Sequence, residues 1–530
     1  MDSLAERDYF SDHEILKDPY AYFEAIRAKG PIHQLANGIV VVTGFDEILD
    51  VLKNTEDFSS AIAPQGPAAA LPFAPQGADI TPQIEEHRTS FIGGDLLVAY
   101  DGSQHSQSRA LLSRLFTPSR LKANEQFIAD YSDRLVKDAV VNGGCDLMKQ
   151  IATPFVTMVI ADLLGVPAED RQIFMDAIDA GVPPGSLNAD DLAAQNAPLV
   201  LMGMYFAEYV MERRENPRSD IISELANASY PDGTTPDAME IVRLGTFLFG
   251  AGQDTSAKLL GNAMKFIIDE PGLQQKLRES PSLIPAMLEE VLRLEGSTKM
   301  TARLARKDTN IGHLRVPAGT KVMLALAAGN RDPRRWENPQ AFILDRPRIK
   351  EHLAFGRGAH VCAGAPLARV EVRVIIEKFL EHTSHIDMAP DQHGPAGARH
   401  MDYDSSFIIR GFSALHLKLT PSAALAGVKP MAPQKPKGKS FFGSLFGQRS
   451  AEKSVVPTHY STAESKIGAL LADPAARTVL DKYFPGVTDD TRIGLAKNMT
   501  FRRVQKFAPE MFTNEALDAA DRELAKLPVG

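Results

Sequence analysis

The chain has 530 residues, 44% hydrophobic and 24% charged, with 58 Lys and Arg against 67 Asp and Glu for a net charge of −9. That composition suits a globular protein with a large core and excludes whole-chain disorder, collagen or coiled coil; the acidic balance excludes a chain-wide nucleic-acid footprint. Two cysteines, Cys145 and Cys362, exclude a disulfide framework, a four-cysteine zinc site and a cysteine-ligated iron–sulfur cluster.

Residues 1–8 lack the basic-then-apolar build of a secretory signal. The longest apolar runs, at 155–166 and 322–328, fall short of the ~20 residues that cross a bilayer. The expectation is a cytoplasmic protein without a transmembrane segment. Up to about residue 420, long helical periodicities dominate and strand-like runs are few and short, which predicts a mainly α fold with small β-sheets.

The first strand-like run is 39–43. Residues 61–81, rich in Ala, Pro and Gly, predict a long loop, and loops of that length are usually functional lids or disordered. His105 and Arg109 are four apart and share one helical face, a cation pair that is costly against a core unless an anion meets it. A helix is expected over 123–141. Cys145 follows in a glycine-rich turn, far from any motif, and reads as structural.

The next helical pattern, 237–268, contains Phe-Gly-Ala-Gly-Gln-Asp-Thr-Ser at 249–256. Two glycines inside a helix cost roughly 1 kcal/mol each, so either a close helix crossing or a functional opening should compensate. Thr255 can bond back to the carbonyl of Ala251 and open the helix locally. The helix expected over 282–294 places Glu290 and Arg293 at i and i+3, within reach of each other. Arg303, a strand-like run at 320–326 and Arg346 come next. Residues 355–364 read Phe-Gly-Arg-Gly-Ala-His-Val-Cys-Ala-Gly, with three glycines for a tight turn and Cys362 just before a helical pattern at 365–380. A cysteine there is stabilised as a thiolate by the helix dipole and free backbone N–H groups. A thiolate is what a haem iron needs to cleave dioxygen; a small buried cysteine in a glycine turn is the other reading.

A last strand-like run, 414–419, closes this part. Residues 421–460 carry a net charge of +5 and are rich in Pro and Lys, which is linker composition; residues 461–530 are neutral, leaving −14 for residues 1–420. Lys435, Lys437 and Lys439 beside Phe441, Phe442 and Phe446 could dock on an anionic surface or in a partner's groove, or simply form a solvated linker. The tail reads as a small all-α C-terminal module: Asp473-Pro474 starts a helix, Pro485-Gly486 stops one and Thr513 caps the last, which ends near Leu527.

Residues 355–364 resemble, at nearly every position, the haem-binding loop of the cytochrome P450 superfamily. The resemblance spans roughly 10–420 and includes an Ala-Gly-x-Asp-Thr motif at 251–255 and the Glu-x-x-Arg pair of Glu290 and Arg293, with Arg346 as its third member. It implies the cytochrome P450 fold over 1–420, haem b as cofactor, Cys362 as axial ligand and Phe355 packed near the thiolate. His105, Arg109, Arg303 and His360 are implied to meet the haem propionates, and Asp254 and Thr255 to deliver protons and position oxygen and water. The implied activity is monooxygenation of a hydrophobic small molecule. Electrons would come from a ferredoxin or flavodoxin with an NAD(P)H-dependent reductase in trans, since the tail is too short for a flavin reductase. A peroxide-driven haem-thiolate enzyme and a haem-binding sensor or assembly protein whose tail is the functional part are the alternatives. The tail is open to an unknown partner. Relatives often carry proline where this chain reads Gly-Ser-Thr-Lys at 296–299, a segment expected to border the substrate together with 61–81 and 182–204.

Overall fold

In the computed structural model, the described residues are 4–428 apart from 169, 180–188 and 231, and in the tail 459–489, 493, 499–505 and 511–527. The basic linker with Lys435–Lys439 and its phenylalanines lies outside the described residues, as does part of the 182–204 segment.

Two compact units divide the chain. The first comprises the described parts of Met1–Gly165 and Arg213–Ala432; the second combines the described parts of Val166–Val182, Ala189–Glu212 and Pro433–Gly530.

In the first unit, helices begin where the sequence supplies caps. Pro118 starts Pro118–Val141, and Asp237 accepts the Met239 N–H at 3.1 Å to cap the 32-residue helix Ala238–Asp269. Ile128, Val136 and Val140 of the former are buried at helical spacing. The cysteine helix, Ala365–His382, packs on Pro118–Val141, while Ala238–Asp269 packs on Thr153–Leu163, Ile284–Glu295 and the cysteine helix.

The main sheet joins β1 (Ile32–Gln34), β2 (Val40–Val42) and β3 (Phe58–Ser59) to β5 (Thr301–Ala305) and β8 (Lys321–Leu324) in the order β1-β2-β8-β5-β3. All contacts are antiparallel except β2 with β8. Alternation sends Val41, Ala302, Leu304 and Met323 into one apolar cluster and Val40, Val42, Ala305, Val322 and Leu324 into another, so the sheet is buried on both faces. A second sheet orders β4 (Gly144–Asp146), β12 (His416–Pro421) and β9 (Thr383–Met388). Cys145 pairs with Leu417 there, and burial pushes its thiol up to about 12, which fits an inert structural cysteine. Hairpins β6 (Thr309–Ile311) with β7 (Leu314–Val316), and β10 (Asp402–Tyr403) with β11 (Phe412–Ala414), complete the set.

The strand expected at 414–419 divides between two sheets. Phe412–Ala414 pairs with β10, and His416–Pro421 pairs with β4 and β9, with Leu415 fully buried between them. Beyond Pro421, Ser422 still donates to the His382 carbonyl at 2.9 Å. The 61–81 stretch is a loop as expected, anchored by Lys321 Nζ on the Ala69 carbonyl at 3.0 Å and by Ile80 N–H on that of Arg306 at 2.7 Å. Among the described residues, no helix is long and apolar enough to cross a membrane.

In the second unit, Phe174 packs edge-on against Tyr205 and Phe206, and the Tyr209 hydroxyl donates to Asp170 at 2.6 Å. The tail helices Ile467–Ala472, Pro474–Tyr483, Phe501–Gln505 and Asn514–Leu524 surround Leu470, Leu480, Leu517 and the rings of Phe484, Phe501 and Phe512. Asp473 and Thr513 cap as expected, accepting from Ala475 N–H and Ala516 N–H. The last helix ends at Leu524, three residues short of the expected end.

Candidate active site

Gly358 lets the loop before Cys362 close: its φ is +74°, and a Cβ there would lie 2.6 Å from the Leu52 carbonyl oxygen. The turn returns the Cys362 N–H to the Phe355 carbonyl at 2.9 Å. Cys362 is an exposed residue, yet enough protein surrounds its thiol for burial to push it up. The N–H groups of Gly364 and Ala365 and the charges of Arg109 and Arg369 oppose that shift without overcoming it. The helix terminus thus favours the thiolate as expected, and a cation bound at the sulfur would favour it further.

Four basic side chains from three elements converge two residues before the cysteine. The rings of His105 and His360 lie 4.0 Å apart, centroid to centroid. Burial and the charges of Arg303, His105 and Arg109 push His360 down to about 2. His105 is lowered by burial and by Arg109 and Arg303; Arg303, 4% exposed, is lowered to about 10 by burial. Among the described residues neither Arg109 nor Arg303 has a carboxylate partner; Arg303 donates to the Ala302 carbonyl at 2.8 Å. Such a cluster is stable only when anions meet it, and two haem propionates would supply them beside a sulfur open to an iron. The residues therefore fit the haem that the sequence implies.

Several members of this cluster's support carry no sequence signature. Ser60 Oγ sits 3.0 Å from His360 Nε2. Asp101, at the start of the helix Gly102–Ser113 that carries His105 and Arg109, accepts from Ser59, the Ser60 N–H, Arg88 and Arg306. On the other side of the cysteine, Arg369 lies over the Phe355 ring at 4.6 Å and pairs with Glu289, which His352 also contacts at 3.0 Å. Burial pushes Glu289 up, but bonds from His352 and Arg369 outweigh it and hold the carboxyl at about 2. His352 is thus local structure.

Glu290, Arg293 and Arg346 form the expected buried triad. Arg293 is bidentate on Glu290 at 2.8 and 2.7 Å, and Arg346 Nε reaches the same carboxylate at 2.9 and 3.1 Å. The remaining guanidinium donors go to the carbonyls of Asn330, Pro339, Ala341, Glu337 and Asn338.

On the helix Ala238–Asp269, Thr255 Oγ1 donates to the Ala251 carbonyl at 2.8 Å as expected. The helix nevertheless runs unbroken through this bond, so the expected local opening is not present. Gly252 serves a crossing instead, because a Cβ there would lie 3.0 Å from Ile160 Cδ1. Among the described residues, buried Asp254 Oδ2 has no hydrogen-bond partner, and burial pushes its carboxyl above the ordinary value. Two residues on, Ser256 bonds Glu371 of the cysteine helix, whose carboxyl burial pushes up to about 8.

In the segment 296–299, expected to border the substrate, two side chains are engaged with the protein's own backbone. Lys299 is fully buried, donating to the carbonyls of Leu16 and Ser406, and Ser297 Oγ donates to the Thr255 carbonyl at 2.6 Å. A lysine ammonium in a core needs carbonyl oxygens around it, and these lie on the side of Leu16.

The cytochrome P450 family model matches residues 193–395. The chain is 31% identical over 397 residues to cytochrome P450 144 of Mycobacterium tuberculosis, covering 73% of this chain and 88% of that protein. Among solved structures, substrate-free CYP150A6 of Mycobacterium marinum is 44% identical with a TM-score of 0.75, and 79% of this chain matches the whole of it. CYP109E1 of Bacillus megaterium in complex with corticosterone is 26% identical with a TM-score of 0.65, over 77% of this chain and 99% of that one. With these likenesses and a cysteine loop beside a cluster of anion-seeking side chains, the chain belongs to the cytochrome P450 family of haem-thiolate monooxygenases.

Proposed function

We propose that this protein binds haem b through Cys362 and inserts one oxygen atom into a hydrophobic small molecule, using electrons from a ferredoxin or flavodoxin and an NAD(P)H-dependent reductase in trans. The observation that carries the reading is the joining of an accessible Cys362 to the His105, Arg109, Arg303 and His360 cluster in one unit. Bound there, haem supplies dioxygen activation at its iron, driven by electron donation from the thiolate.

The protein's own part is charge and proton placement. Arg303 and Arg109 offer donors for the propionates, and Ser60 orients His360 toward the same anions. Arg369, held by Glu289 and lying on the Phe355 ring, brings positive charge near the sulfur and favours its anionic form. On the helix Ala238–Asp269, Asp254 sits where burial favours its protonated state, so the carboxyl can hold a proton to deliver. Thr255, having donated its own proton to Ala251, keeps its lone pairs free to accept a hydrogen bond from water. A steroid complex in the relative CYP109E1 agrees with a hydrophobic substrate class and does not name the substrate here.

A library is first screened for compounds that shift the Soret band, and turnover of a responding compound is measured with surrogate ferredoxin and reductase. NADH-dependent product is expected, with Thr255→Ala still consuming NADH but releasing hydrogen peroxide in place of most product. Product formed only with hydrogen peroxide, and none with NADH and the surrogate partners, would replace this reading with a peroxide-driven enzyme.

A further inference from the structure

The Asp254 carboxylate shares its counter-ion with another carboxylate brought in from a distant part of the chain. Lys258, one turn further along the helix Ala238–Asp269, places Nζ 3.8 Å from Asp254 Oδ1. The same ammonium lies 2.5 Å from Asp404 Oδ2 and donates to the Phe412 carbonyl at 2.6 Å. Asp404 sits between β10 and β11, its N–H bonded to the Gly411 carbonyl. Gly411 makes room for the lysine: a Cβ there would lie 2.4, 2.5 and 2.6 Å from Lys258 Cβ, Cδ and Cγ. The lysine stem therefore lies flat on the Gly411 backbone, with its head fixed between a carbonyl and Asp404. All three charged side chains are largely buried.

We infer that Lys258 and Asp404 are positioning residues that set the charge of Asp254, with Asp404 drawing the lysine away so that Asp254 is kept as a proton carrier. Among the described residues, Lys258 and Asp404 are the charged groups acting on Asp254: burial favours its neutral form, Lys258 opposes this, and Asp404 reinforces it. An ammonium at 3.8 Å is close enough to reverse the balance if released from its second partner. A lysine with one carboxylate makes an ion pair, whereas a lysine shared by two leaves the more distant one short of charge compensation. Asp254 is the more distant one, at 3.8 Å against 2.5 Å for Asp404; among the described residues the Oδ2 of neither carboxylate has a hydrogen-bond partner.

This inference rests on reading Asp254 as the proton carrier, and its test separates the two. On the holoenzyme, the carbonyl band of protonated Asp254, identified as the band absent in Asp254→Asn, is titrated by infrared difference spectroscopy. In Asp404→Asn the midpoint should fall by about one pH unit, because Lys258 is freed for Asp254; in Lys258→Gln it should rise by about one pH unit. Shifts in the same direction, or none in either variant, overturn the inference. If Lys258→Gln fails to hold haem, Asp404→Asn decides alone: a downward shift supports the inference, and a rise or no shift overturns it. Coupling of Asp254→Asn with the screened substrate tests the underlying reading independently. Wild-type coupling there removes Asp254 as proton carrier, while opposite shifts in the two infrared titrations would still show that Lys258 and Asp404 set its charge.

Discussion

Two buried clusters of charge, both in the first unit, have opposite construction. Around Glu290 the carboxylate takes Arg293 and Arg346, and the spare donors of both guanidiniums end on carbonyl oxygens. Around His360 four basic groups face one another, and neither arginine has a carboxylate partner among the described residues. The first is complete without any ligand, so its free energy goes into holding the chain ahead of the cysteine. The second is complete only with an anion, so its free energy appears on binding. The difference separates structural from binding arginines more sharply than burial does, since Arg293 and Arg303 are both buried.

Breaking the closed cluster should have the largest effect. Glu290→Ala leaves two buried guanidiniums without a carboxylate, a loss of about 3–5 kcal/mol. Most of the protein should fail to accumulate with a thiolate-type carbon monoxide spectrum. A wild-type melt in Glu290→Ala would mean that carbonyl oxygens alone compensate the pair.

Arg303→Met probes the open cluster and should act with opposite sign on the two forms. The apoprotein should be no less stable, since a buried unpaired cation is removed. Haem should transfer to apomyoglobin about 10–100-fold faster, the equivalent of one charge-assisted bond. Destabilised apoprotein with unchanged haem transfer would assign Arg303 to the fold instead.

Glu371 is a third case, a buried carboxyl whose protein partner is one hydroxyl. Its folded-state value of about 8 lies above the ordinary 4.5, so the protonated form stabilises the fold at low pH and that contribution is lost as pH rises toward 8. Relative to Glu371→Gln, which stays neutral, the wild type should lose about 2 kcal/mol between pH 6 and pH 8. Parallel denaturation curves for the two proteins across that range would show that Glu371 ionises without cost.

Removing the tail should disturb the clusters least. Every residue of both lies before Ser422, so a chain ending at Val428 should load haem like the full length and exchange it at the same rate. Any loss is expected within 166–212, which shares the tail's compact unit. Limited proteolysis there reads it, and a failure to bind haem would place the tail inside the catalytic fold.

Much of this site was legible because its signals are local. The 355–364 loop is specified by glycines at fixed offsets from Cys362, and Gly358 is needed for a positive φ and a close approach to Leu52. Glu290 and Arg293 are one helical turn apart, and Thr255 finds Ala251 by the i−4 spacing that any helix imposes. Such relations depend on helical or turn geometry alone, so composition and spacing determine them before the chain folds.

What tertiary structure decided involves residues far apart in sequence, whose meeting depends on strand register and helix crossing. Nothing near Lys258 announces Asp404 or Gly411, and nothing near His360 announces Ser60 or Asp101. The apolar run at 414–419 reads as one strand, yet Leu415 turns into the core and the run divides between two sheets, a choice made by the partners β10, β4 and β9. Lys299 lies in a segment that adjoins the substrate by resemblance, but its ammonium goes where carbonyl oxygens are, at Leu16 and Ser406. The sequence determined which groups could bind a thiolate-ligated iron and its propionates. Only the packed chain decided which charges were already compensated, because the cost of a buried charge depends on every neighbour the fold brings to it.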